Sequence, residues 1–162
     1  MQPTTKDSLI EAAIRVLTAN PAASLSDIAA EAGVKRVTLH RLLGTREELL
    51  QEIAIRSLAE MDNACQHAAR DAKTSMEALR LSVEALVPVG DRCHFLWSLS
   101  DVWEEPEVAQ EIARQNAELA ELIDDAKSEG SVDSDIPNAW IMAANNVDRS
   151  GGCAGPRHCC QQ

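Results

Sequence analysis

Between Val34 and Arg46 the chain places Lys35, Arg36, Arg41 and Arg46 together with His40, and no Asp or Glu stands among them. A run of cations joined by the hydroxyl of Thr38 suits one kind of chemistry. The charges can neutralise phosphates along a polyanion, and the donors can reach base edges. The bland alternative is a solvated basic face on a small helical domain. It loses weight here because the residues around the cations form a specific frame, described below.

Other groups that could do chemistry are less well organised. Glu104, Glu105, Glu107, Glu111, Glu118 and Glu121 are dense enough to be the wet face of a helix and not a pair of catalytic carboxylates. Cys153, His158, Cys159 and Cys160 carry ligand types that suit zinc, but adjacent cysteines fit one tetrahedral site poorly and no second Cys-x-x-Cys pair supports them. No metal is expected there. There is no phosphate loop, no His-Glu-x-x-His, no nucleophile-elbow serine and no dinucleotide fingerprint, so neither catalytic residues nor a cofactor are expected. Met61, His67, His94, Trp97 and Trp103 are candidates for the wall of an effector pocket between helices. For each of them, ordinary packing is the competing reading.

The cations belong to a longer stretch, residues 24 to 46, SLSDIAAEAGVKRVTLHRLLGTR. Ser24 followed by Asp27 is a capping box, which satisfies free N–H groups at a helix start. Ile28, Ala29 and Ala32 then recur at helical spacing. Gly33 stands where that helix must stop, at a position suited to positive φ. Leu39, Leu42 and Leu43 carry the apolar pattern onto a second helix. Two short helices joined by a tight turn over about residues 24–43 form a helix-turn-helix, whose second helix enters the DNA major groove. Lys35, Arg36, Thr38 and His40 fall where base edges are usually met, and Arg41 and Arg46 where phosphates are.

These residues resemble the TetR family of transcriptional regulators. The matching motifs are Asp27-Ile28-Ala29, Ala32-Gly33-Val34, Thr38-Leu39 and Arg46-Glu47-Glu48-Leu49. His40 replaces the family's usual Tyr, Leu43 its usual Phe and Arg46 its usual Lys. Leu43 is a fair core substitute, and Arg46 keeps the cation. The resemblance covers roughly the first 50 residues. It implies a ligand-responsive repressor, a homodimer on an inverted-repeat operator in double-stranded DNA, and a small-molecule effector bound in a second helical domain.

Composition agrees with an all-α fold. Aromatic residues make up only 2% of the chain, with three Trp, one Phe and no Tyr, while Ala, Leu and Glu are abundant. The formal net charge of −11, taken as a whole, opposes DNA binding. Its distribution removes the objection: residues 1–50 hold six basic and six acidic side chains, whereas residues 51–130 hold seven and seventeen. Binding requires a local cationic face and not a basic whole. The polar N-terminus lacks a secretory apolar region, and no apolar run reaches the ~20 residues of a membrane span. A cytoplasmic protein without membrane association is expected. Cys65 and Cys93 read as small, reduced core residues.

Three domains or segments are expected: a DNA-binding domain over 1–50, a helical effector-binding and dimerisation domain over 51–148, and a disordered tail over 149–162. A first helix from about Asp7 to Ala19 should brace the helix-turn-helix. Thr45 and Glu48 cap a long linking helix from about Arg46 to Ala69. Thr74 and Glu77, a third capping box, start the next helix, ended by Pro88 and Gly90, and another helix should follow from about Asp91 to Val102. Pro106 opens a helix to about Glu129, about 35 Å long at ~1.5 Å per residue, and Pro137 opens the last. The pattern breaks at RSGGCAGPRHCCQQ, where the family resemblance implies more apolar helix packed on a partner subunit. The domain over 51–148 therefore reads as incomplete at its C-terminal end. The alternative function follows from that break: a helical ligand-binding or interaction protein that has lost operator binding through a defective dimerisation end.

Overall fold

The computed structural model describes residues 5–93, 95–96 and 100–145, and among them there are seven α-helices and no strand. The metal-ligand candidates Cys153, His158, Cys159 and Cys160, and the tail over 149–162, lie outside the described residues. The helices are α1 (Lys6–Ala19), α2 (Leu25–Glu31), α3 (Arg36–Leu43), α4 (Arg46–Ala69), α5 (Ser75–Cys93), α6 (Pro106–Ser128) and α7 (Asn138–Asn145), with a 3-10 turn over Ser100–Trp103.

The capping residues start the helices as their side-chain chemistry requires. The Ser24 hydroxyl accepts from the Asp27 N–H, and the Asp27 carboxylate accepts from the Ser24 N–H at 2.8 Å. Those Ser24 donors hold the Asp27 carboxyl below its ordinary pKa. Thr45 and Glu48 repeat the exchange at the start of α4, with Thr45 N–H donating to Glu48 at 2.7 Å. Gly44 precedes them at φ +73, and a Cβ placed there would collide with the same Glu48 oxygen. Any larger residue would therefore be strained and would also evict the cap. At α5 the exchange is incomplete. Thr74 accepts from Glu77 N–H at 3.2 Å, but the Glu77 carboxylate turns to the Lys73 N–H at 2.9 Å.

Two expectations about the middle of the chain are corrected. Pro88 and Gly90 do not end α5, which continues through Pro88 to Cys93. Proline removes one N–H from the ladder, but both Pro88 and Glu84, whose carbonyl loses its partner, are exposed, so water can replace the bond. In place of one helix over 91–102, the described residues show the end of α5, a 3-10 segment at Phe95–Leu96 and the 3-10 turn at Ser100–Trp103. Phe95 and Leu96 are each 1% exposed and belong to the core.

One continuous core joins the first three helices to the rest. Leu9, Ile10, Leu17, Ile28, Ala29, Leu39 and Leu43 pack with Leu49, Ile53 and Leu58 of α4, and the cluster continues into Phe95, Leu96, Val102 and Val108. The first half of α4 is thus the shared wall between the helix-turn-helix and the bundle. Surface pairs add register: Lys6 to Glu52 at 3.1 Å and Arg56 to both Asp7 and Glu52 tie α1 to α4. Ser75 donates to Glu129, joining α5 to α6, and Asn138 donates to Asp124, joining α7 to α6. Among the described residues no helix is long and apolar enough to cross a membrane.

Candidate nucleic-acid interface and effector cleft

Helix α3 is anchored by one side and open on the other. Leu39 is fully buried and Leu43 nearly so. At 100° per residue this places Val37 and Arg41 on the opposite side and His40 on the flank, while Arg36, three residues before Leu39, projects from the first turn; all four are exposed. Lys35 is exposed at the N-cap, and Thr38 is half-buried. Gly33 supplies the positive φ, +66, that lets the chain turn from α2 into α3.

The partners of the head's cations separate them into two groups. Lys6 pairs with Glu52, Arg15 with Glu31, and the Arg46 guanidinium donates to the Pro21 carbonyl. Arg46 is therefore half-buried and braces the loop between α1 and α2, a tertiary bond that no local pattern announces. Among the described residues, Lys35, Arg36 and Arg41 have no ion pair and no side-chain hydrogen bond. The helix they start is also open. Thr5, Ser24 and Thr45 cap α1, α2 and α4, whereas Lys35 gives α3 no side-chain cap. Unfilled N–H groups beside Lys35 and Arg36 at the start of the helix, with Arg41 on its exposed side in the last turn, are well suited to meet phosphate oxygens. Val37 lies in their midst, 78% exposed. A search for charges passes over it; its signal was an apolar residue breaking the polar side of the helical period.

The second site is a cleft of about 250 Å³ between α4, α5 and α6, small for a drug-sized ligand. Met61 and Cys65 of α4, Leu86 of α5, and Leu119 and Leu122 of α6 form its apolar wall, with Asp62 and Glu118 beside them. Burial pushes the Cys65 thiol above its ordinary pKa, which leaves it a poor nucleophile. Of the five pocket candidates, Met61 lines this cleft. His67 is exposed on α4 and outside it. Trp103 is half-buried, packs on the core and donates its indole N–H to the Leu96 carbonyl at 3.1 Å. His94 and Trp97 lie outside the described residues.

Arg114 binds both carboxylates at the polar edge of the cleft. Its guanidinium meets Asp62 of α4 at 2.9 Å, Glu111 at 2.6 Å, and Glu118 one turn on. Three carboxylates thus share a single cation, and Arg114 holds the Glu111 carboxyl below its ordinary pKa. Among the described residues no group of His, Cys, Asp and Glu is arranged to hold a metal.

Comparison with known proteins gives this geometry a lineage. Residues 9–53 match the model for bacterial regulatory proteins of the tetR family. The HTH-type transcriptional repressor LfrR of Mycolicibacterium smegmatis is 32% identical over 137 residues, covering 84% of this chain and 70% of that protein. The crystal structure of LfrR in complex with proflavine superposes with a TM-score of 0.68 and 27% identity, over 88% of this chain and 76% of that one. PfmR from Thermus thermophilus has the same fold, with a TM-score of 0.72 at 19% identity over 91% of this chain and 88% of its own. With the helix-turn-helix, its free cations and the all-α body in place, the chain belongs to the tetR family of bacterial transcriptional regulators.

Proposed function

We propose that this regulator is a repressor that binds an inverted-repeat operator as a homodimer in the cytoplasm and is released by a cationic, largely apolar effector. The observation that carries the DNA half of the reading is the set of free cations, Lys35, Arg36 and Arg41, on a head whose other cations are engaged. Phosphate contacts supply affinity, and the first turn of α3 supplies sequence choice. Residues 1–50 act as the DNA-binding domain, and the helices from residue 51 onward act as the effector and dimerisation domain. No catalytic role is assigned to any residue.

The effector half rests on charge. LfrR is known in complex with proflavine, a planar aromatic cation. In this chain an apolar cleft is edged by the Asp62 and Glu118 carboxylates, which share the Arg114 guanidinium with Glu111. A ligand cation seated there competes with Arg114 for Asp62 and Glu118. Asp62 stands on α4, the helix that starts beside the recognition helix, so weakening its bond to α6 shifts the population of α4 positions. Two heads that no longer match half-sites about one DNA turn apart leave the operator.

Proflavine titration followed by fluorescence tests this half. Arg114→Met frees the carboxylates and is expected to tighten proflavine binding about three- to fivefold, the scale of an exposed charge pair. Asp62→Asn is expected to weaken it by a similar factor, while an uncharged tricyclic such as anthracene sulfonamide binds both variants and the parent alike. Equal proflavine affinities in all three proteins would contradict the assignment of the cleft to a cation.

A further inference from the structure

Val37 has the largest fractional exposure among the exposed large apolar residues described, 78%. A single exposed apolar residue is ordinary on a protein surface, so exposure alone says little. Its place says more. Val37 is the second residue of α3, between Arg36 and Thr38, and Arg41 follows it one turn later on the same side. The core does not use it, since Leu39 and Leu43 anchor the other side of the helix. Nor does the helix favour it: a β-branched residue on an exposed helical position is a weaker helix former than Ala, Lys or Glu.

The N-terminal residues of a recognition helix are those that reach base edges. A valine there has no donor or acceptor, so it cannot read the hydrogen-bonding pattern of a base pair. The one apolar group displayed in the major groove is the C5-methyl of thymine. Valine is also stiff at χ1, which fixes the direction of its two methyl groups without further cost. We infer that Val37 is a specificity-determining residue that packs on a thymine methyl and fixes one T·A pair in each half-site. The inference rests on the operator-binding reading proposed above and adds a base to it.

The probe is the duplex enriched by the full-length protein from random DNA, and copies of it in which each thymine in turn is replaced by deoxyuridine. That exchange removes only the methyl group and leaves pairing and the O4 acceptor intact. At one thymine per half-site, the uracil copy is expected to bind the parent protein three- to tenfold more weakly. Val37→Ala is expected to bind the thymine and uracil copies alike, and Val37→Thr, which keeps one methyl, to fall between. Circular dichroism melting of both variants checks that the head still folds. Parent binding that ignores every uracil substitution would overturn the inference alone, as would Val37→Ala that still discriminates. Failure to enrich any duplex would overturn the operator reading, and this inference with it.

Discussion

Changing Arg36 and Arg41 together to alanine is expected to weaken binding to every duplex by roughly tenfold or more near 0.15 M salt, with the slope of log K against log salt reduced by about one for Arg41 on a phosphate, and by about two where Arg36 meets a phosphate as well as a base. Each cation that meets a phosphate releases counterions, and a protein without it releases fewer. These two residues suit the test because neither has an ion pair or side-chain hydrogen bond among the described residues, so their removal leaves no orphaned partner. Arg46 is a poorer choice, since its guanidinium also holds the Pro21 carbonyl and its loss would loosen the loop between α1 and α2. Titrations of selected and scrambled duplexes at several salt concentrations separate two roles. A slope lowered by about one with relaxed base preference would place Arg36 on a base and Arg41 on a phosphate. An unchanged slope would contradict the phosphate role of both.

Leu39→Ala should strongly destabilise the head. The side chain is 0% exposed and is the apolar anchor of α3 in the cluster with Ile28, Ala29 and Leu49. Removing a buried leucine side chain costs about 2–5 kcal/mol, depending on how far the cavity collapses. That is a large part of the ~5–15 kcal/mol that holds a domain together. DNA binding is expected to fall with stability, although Lys35, Arg36 and Arg41 are intact. Leu42→Ala provides the contrast: at 38% exposed, Leu42 lies near the edge of the core, and its loss is expected to cost under about 1 kcal/mol. Urea denaturation of the two variants beside the parent measures the difference. Similar midpoints for Leu39→Ala and the parent would mean that α3 is not held by this contact.

The contrast between the two halves of the chain explains how such an acidic protein can approach DNA. The head is charge-balanced, and part of its positive charge is engaged, Lys6 by Glu52 of α4 and Arg15 by Glu31. What remains outward on α3 is positive. The excess acid begins after residue 50. On α6 part of it gathers around Arg114 at the edge of the cleft. In the proposed reading, an acidic body and a cationic α3 would also help orient the approach to a polyanion.

What could be read in the sequence was local. Ser24 with Asp27 and Thr45 with Glu48 announce helix starts because both halves of each exchange lie within four residues. Gly33 announces the turn because few other residues accept its φ. Pro88 misled, because proline's local cost does not include the water that can replace a lost bond on an exposed side. The cleft was legible only at Met61. Its wall is assembled from three helices that are distant in sequence, and Leu119 and Leu122 carry the same helical period whether they face a cleft or a core. Trp103 shows what the sequence leaves open: a large amphipathic residue reads as a pocket candidate, and only the fold shows its N–H donating to the Leu96 carbonyl.

The decisive measurement is selection of random duplex DNA by the purified protein at moderate salt, with sequencing of what is retained. The free cations of α3 and the two-fold assembly proposed for the body together predict an inverted repeat, with half-site centres about one helical turn, roughly 34–36 Å, apart. Retained DNA with no shared sequence, or none retained above background, would contradict operator binding by this helix.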